Sequence, residues 1–191
     1  KVNYVYGGQF FGDADITAAM DTWYAGGTQV VFACGGGIYT SAVDAAKKVE
    51  GAKVIGVDVD QAGVIANYAA GEGADEATIE GYKALTVTSA MKGLYPATFD
   101  ALTDVIVNGN WEKYSGKIDT LGLVSADDPA ANYVQIPMES TQWADGKFTQ
   151  DDYKALVKAM FDGTLTVSND ITKSAKDFAT VITLDDQGKI K

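Results

Sequence analysis

Lys53 to Gln61 reads Lys-Val-Ile-Gly-Val-Asp-Val-Asp-Gln, an apolar run that breaks into carboxylates. Val54, Ile55 and Val57 are β-branched and apolar on both faces, as a strand buried between two layers of helices requires. Asp58 arrives where that strand runs out, and open parallel sheets hold their ligands outside the carboxyl ends of the strands. A carboxylate in that place can accept hydrogen bonds from two neighbouring hydroxyls, such as those of a ribose. The competing role for Asp58 and Asp60 is to cap a turn.

Around this segment strands and helices alternate. Val2–Tyr6 reads as a first strand, closed by Gly7-Gly8. Asp13 is placed to cap a helix over Ala14–Tyr24 that ends at Gly26-Gly27. Gln29–Ala33 is a second strand ending in Cys34-Gly35-Gly36-Gly37, Ser41–Val49 a second helix and Lys53–Val57 the third strand. Ala62–Tyr82, rich in Gly, Ala and acid, reads as a long excursion with partial helix before a fourth strand, Leu85–Thr88. This order predicts an α/β fold, a parallel sheet flanked by helices. Right-handed crossovers would bring the glycine turn, Asp58 and the end of the fourth strand to one sheet edge.

Beyond residue 95 the pattern predicts a helix over Pro96–Val107, stopped by Asn108-Gly109-Asn110. Ile118–Val124 is strand-like, and Ser125–Asp145 is loop-rich with two prolines. Thr149–Phe161 is an amphipathic helix with Tyr153, Leu156, Val157, Met160 and Phe161 on one side and two acids in its first turn. Asp177–Leu184 should end in a short strand, with a turn at Asp186-Gln187-Gly188. The regular alternation of strand and helix is thus confined to residues 1–95, and residues 96–191 are less regular.

Composition removes several chemistries. The 191 residues carry a net charge of −11, with 15 basic residues, all lysine, and no histidine. Acidity and the absence of arginine oppose nucleic-acid binding and deny the bidentate fork usually chosen for phosphate. Without histidine, Ser-His-Asp chemistry and most zinc sites are excluded, and no nucleophile–base pair is evident, so a non-enzymatic role without metal or cofactor is expected. Cys34 is alone and can form no internal disulfide. Val31-Phe32-Ala33-Cys34 superficially matches a lipoprotein processing box. It lies within the chain, so Cys34 is expected to be a small buried residue. No apolar run is long enough to cross a membrane. Lys1 leads straight into a strand, which suggests a processed or excised piece.

Three further features could carry chemistry. The Gly35-Gly36-Gly37 turn would let a ligand approach the backbone, though a tight turn alone explains it equally, and it is neither a dinucleotide fingerprint nor a Walker loop. Phe10-Phe11-Gly12-Asp13 follows the first strand. Two adjacent aromatics are more often core, but at a sheet edge one ring could stack on a planar base. Lys92, just past the fourth strand, would by default be solvated, yet it would face the same cleft as Asp58.

The motifs Gly-Gly-Gln-Phe-Phe-Gly-Asp, Val-Phe-Ala-Cys-Gly-Gly-Gly-Ile, Val-Ile-Gly-Val-Asp-Val-Asp-Gln and Thr-Ser-Ala-Met-Lys, in this order, resemble the basic membrane protein family. Its members are substrate-binding lipoproteins of ABC importers and include purine nucleoside receptors. Phe148-Thr149-Gln150-Asp151-Asp152-Tyr153 and Asp162-Gly163 resemble the family's last helix and turn. The resemblance implies a type I periplasmic-binding-protein-like fold in which residues 1–95 are the core of the second, carboxy-terminal lobe and residues 96–191 complete that lobe and the hinge. This chain would supply about half of an interlobe purine nucleoside site, the amino-terminal lobe being missing. It implies that Phe11 stacks on the purine, that the turn at Gly36 approaches the ligand, and that Asp58 and Lys92 hold the sugar hydroxyls. Asp60 remains the alternative to Asp58, and Asp13 is assigned to its helix cap. An extracytoplasmic location, a lipid anchor in the parent protein and an ABC permease partner are further implications. The family's small polar residue is Phe10 here, and Ala62–Tyr82 is longer than usual. The rival readings are a nucleotide- or sugar-phosphate-dependent α/β enzyme domain and the effector-sensing core of a transcription regulator.

Overall fold

The computed structural model describes residues 1–190. In chain order the elements are β1 (Val2–Tyr6), α1 (Ala14–Ala25), β2 (Val30–Phe32), α2 (Tyr39–Ala46), β3 (Lys53–Asp58), α3 (Ala62–Ala70), α4 (Glu76–Lys83), β4 (Thr86–Lys92), α5 (Leu94–Leu102), α6 (Trp111–Tyr114), β5 (Val134–Gln135), α7 (Gln150–Phe161), α8 (Ala175–Phe178) and β6 (Leu184–Lys189). The fold is α/β, with a mostly parallel sheet flanked by helices. β2, β3 and β4 lie side by side and parallel, and β5 closes that sheet antiparallel to β4.

Each crossover is written in local chemistry. The Asp13 carboxylate accepts the Ile16 N–H at the start of α1, whose last carbonyls meet the N–H of Gly26. Asp75 caps α4 through the Thr78 N–H, and Thr149 and Asp152 form a reciprocal capping box on α7. The core is the layer where α1, α2 and α3 meet the sheet: Ile16, Met20 and Tyr24 pack with Val43, Ala46, Val31, Val54 and Ile65. Alanines fill the tightest positions of α2, where helix and sheet approach closely. Tyr24 is buried to its ring, and its hydroxyl donates to the Lys53 carbonyl at 2.6 Å, tying α1 to the start of β3.

Several expectations need correction. β1 does not join the main sheet; it pairs in parallel with β6 as a separate two-stranded sheet. β4 runs on to Lys92, because Met91 and Lys92 find antiparallel partners in Gln135 and Val134. The 62–82 excursion is two helices, α3 and α4, separated by Gly71 and Gly73 at positive φ. The second helix spans Tyr39–Ala46 rather than Ser41–Val49. The helix expected from Pro96 begins at Leu94, and its last turns, Thr103–Val107, are π-helical. Asp104 anchors that end by accepting from Lys113, Asn108, Asn110 and Tyr114, contacts led by Lys113 that hold its carboxyl well below the usual range. No strand forms over Ile118–Val124, where the backbone wraps the buried Asn132 instead: its Oδ1 accepts from the N–H groups of Val124 and Ser125. Asp186-Gln187-Gly188 lies inside β6 rather than forming a turn after a strand. Cys34 is exposed, since strand alternation sends Val31 and Ala33 inward and Phe32 and Cys34 outward.

Burial holds the Tyr24 phenol well above its ordinary pKa. The folded state therefore retains that proton where the unfolded chain loses it, so the associated stability is complete below about pH 10 and falls as pH rises further. Tyr24→Phe should cost about 1 kcal/mol near neutrality through the lost hydrogen bond. It should also make the urea midpoint less sensitive to pH above pH 10; an unchanged alkaline slope would count against this role.

Candidate functional site

The parallel order of β2, β3 and β4 places the turns that follow them along one edge of the sheet. Gln61 joins these turns. Its Oε1 accepts the Val57 N–H at 2.9 Å, its Nε2 donates to the Gly36 carbonyl at 3.3 Å, and its backbone N–H donates to Ser89 Oγ at 3.1 Å. Gln61 and Ser89 are buried, so each of these polar groups is satisfied within the protein. Gly56 makes the approach possible: a Cβ there would stand 2.6 Å from Ser89 Oγ and 2.8 Å from Gln61 Cβ.

This lattice delivers Asp58 to the edge in a left-handed backbone conformation, φ 71°, the one non-glycine residue at positive φ among the described residues. Such a conformation costs about 1–2 kcal/mol for an L-residue, less for aspartate, and it turns the chain out of the strand. Lys92 at the end of β4 meets Asp58 Oδ1 at 2.6 Å. The Asp58 side chain is 32% exposed and that of Lys92 66%, so the ion pair is open to solvent and contributes little to stability. Lys92 is thus neither free in solvent nor beyond the strand.

Asp58 and Asp60 are engaged differently. Asp60 is occupied locally, with Oδ1 accepting the Ala62 N–H at 3.1 Å and Oδ2 the Ser140 hydroxyl at 2.7 Å. Asp13 caps α1 and also accepts from Gln9 Nε2 at 2.7 Å. The turn-cap role weighed for both Asp58 and Asp60 therefore belongs to Asp60.

Phe10 and Phe11 are not core: they are 79% and 63% exposed. Phe11 is nevertheless fixed, since the Gly37 N–H donates to the Phe10 carbonyl at 2.8 Å and Phe11 forms a parallel bridge with Gly37. Gly36 has φ 35° and sits where a Cβ would come within 3.4 Å of the Phe10 carbonyl. An exposed ring, a glycine turn and an acid–lysine pair thus share one sheet edge. The arrangement can present an aromatic face to a planar group and both a donor and an acceptor to hydroxyls. Among the described residues no cluster of His, Cys, Asp or Glu could hold a metal ion.

No local pattern assigns a role to Gln61, Ser89 or Ser140. Gln61 stood in the Val-Asp-Val-Asp-Gln block, and a glutamine opening a helix directly after two acids was its available signal. Ser140 lies far along the chain, and nothing local marks it. No protein-family model matches the chain, and no curated protein matches it.

Removing the Gln61 carboxamide leaves the Val57 N–H buried without an acceptor. Gln61→Ala should cost about 1–3 kcal/mol in urea denaturation for that group alone. Gly56→Ala should cost a similar ~1–3 kcal/mol through overpacking against the same pair. Loss of less than half a kilocalorie in both would show that the turns are not held by this network.

Proposed function

We propose that this chain is one lobe of a solute receptor that binds a nucleoside, preferably a purine nucleoside, and serves as the binding component of an ABC importer. The observation that carries the reading is the strained Asp58, paired with Lys92 at the sheet edge that also holds exposed Phe11 and the turn at Gly36. A surface ion pair contributes too little to justify a left-handed aspartate on stability grounds, and strain of this kind collects where ligands are held. Phe11 offers stacking worth about 1–3 kcal/mol to a base. Asp58 accepts from the sugar hydroxyls and Lys92 donates to them, while Gly36 leaves backbone accessible to the ligand. The motif order described above supports the same assignment.

The site is one-sided, and a second lobe closing over it excludes the water that competes for each hydrogen bond. Binding involves no covalent step. The ligand stabilises the closed arrangement by its greater affinity for that form, and the permease recognises it. The full receptor stands outside the cytoplasm, tethered through a lipid.

Calorimetry with guanosine, adenosine, inosine, uridine and ribose tests this reading on the two-lobed receptor and on the 191-residue chain in parallel. Purine nucleosides should bind the receptor and bind the single lobe far more weakly; silence of the receptor across the panel would remove the nucleoside assignment. Phe11→Ala should weaken purine nucleosides by about 1–3 kcal/mol. Asp58→Ala should cost more for ribonucleosides than for their dideoxy forms, and equal losses would sink its role toward the sugar.

A further inference from the structure

β1 and β2 run side by side without pairing. Their amino ends meet through Asn3 Nδ2, which donates to Thr28 Oγ1 at 3.2 Å, and their carboxyl ends through the Gly37 N–H on the Phe10 carbonyl. They are therefore parallel, yet they belong to two separate sheets. Between them lies a cleft of ≈ 930 Å³, lined on the helix side by Ile16, Met20 and Trp23 of α1.

The backbone of both strands faces this cleft. The Val2 N–H goes to Thr183 and the Tyr6 carbonyl to Ile190, so alternate residues of β1 point their peptide groups toward β6. The intervening Asn3 and Val5 point theirs the other way. On β2 the Gln29 carbonyl and the Ala33 N–H are directed to β3, which turns the peptide groups of Val30 and Phe32 toward β1. Asn3 Oδ1 is buried and has no donor. Val2, Tyr4, Tyr6, Val30 and Phe32 are exposed on these same strands, although parallel sheets ordinarily have both faces covered.

We propose that the cleft is a strand slot, taking one extended polypeptide segment from outside residues 1–190 that lies parallel to β1 and β2 and hydrogen-bonds to both. Two facing rows of peptide N–H and C=O groups are complementary to a third such row, by strand addition. A purely apolar small molecule would fill the space while cutting those groups off from water, at the full cost of their desolvation. The occupying segment would be rich in Val and Ile, because its inward residues meet α1 and its outward residues extend the exposed apolar row. It would join β6-β1 to β2-β3-β4-β5 as one continuous sheet. That gain is large for β1 and β6, since a two-stranded sheet alone is marginal. This inference goes beyond the nucleoside reading and stands or falls without it.

The probe is a fluorescein-labelled heptapeptide with the sequence of Ala52–Asp58, which already pairs with the other edge of β2. Its control is the same peptide with alternate peptide bonds N-methylated. The plain peptide should raise anisotropy saturably, and the methylated form should bind at least about tenfold more weakly, as the loss of one or two hydrogen bonds dictates. In hydrogen exchange, the plain peptide should slow the amides of Asn3, Val5, Val30 and Phe32. No binding by either peptide, equal binding by both, or protection that leaves these four amides unchanged would overturn the slot.

Discussion

One buried side chain sets the geometry of the candidate site. Gln61 bonds at once to the end of β3, to the glycine turn after β2 and to Ser89 within β4. A carboxamide suits this position because it is neutral and offers an acceptor and a donor together, so it satisfies an N–H and a carbonyl without a buried charge. Gly56 leaves the space for it, and β4 brings Ser89 alongside. The turns at Gly36 and Asp58 are therefore positioned by the interior of the sheet rather than by their own loops. A site carried on a rigid scaffold of this kind needs little reorganisation when it binds.

The same edge contains the local strain. Asp58 is left-handed and about one-third exposed, paired with a lysine on the adjacent strand, while Asp60 two residues on takes the conventional capping work. This division explains how two aspartates so close in sequence hold different tasks. Around the site the apolar side chains are unevenly covered. Val31 and Val54 lie under the helices, whereas Phe11, Phe32, and Tyr95 stacked on Phe99 at 5.8 Å, face solvent.

Much of this was legible in the sequence, for local reasons. Asp13, the glycine pair after α1 and the β-branched run at Lys53–Val57 each act within a few residues, and they locate β1 through β3 and their helices. The convergence of Gly36, Asp58 and Lys92 on one edge followed from the parallel order alone. What the pattern could not convey was contact between distant segments. β6 reaches β1 across almost the whole chain, and β5 extends β4 as far as Lys92. Ile118–Val124 has the composition of a strand but joins no ladder; the Tyr133 N–H donates to the Gly122 carbonyl, and Asn132 claims the N–H groups of Val124 and Ser125. Phe10 and Phe11 defied the usual expectation for paired aromatics because Gly37 pins their backbone at the sheet edge, where no element covers the rings. Asp60 is engaged by Ser140, 80 residues away, a contact no local pattern announces.

We propose that a nucleoside is held at the edge bearing Phe11, Gly36, Asp58 and Lys92. A titration of the isotopically labelled chain with inosine, followed by amide chemical shifts, tests it most directly. Saturable shifts are expected at Phe11, Gly36, Asp58 and Lys92, spreading through Gln61 to Ser89, even if affinity for one lobe is only millimolar. Shifts centred on the cleft between β1 and β2, or no shifts at all up to the solubility of the nucleoside, would contradict it.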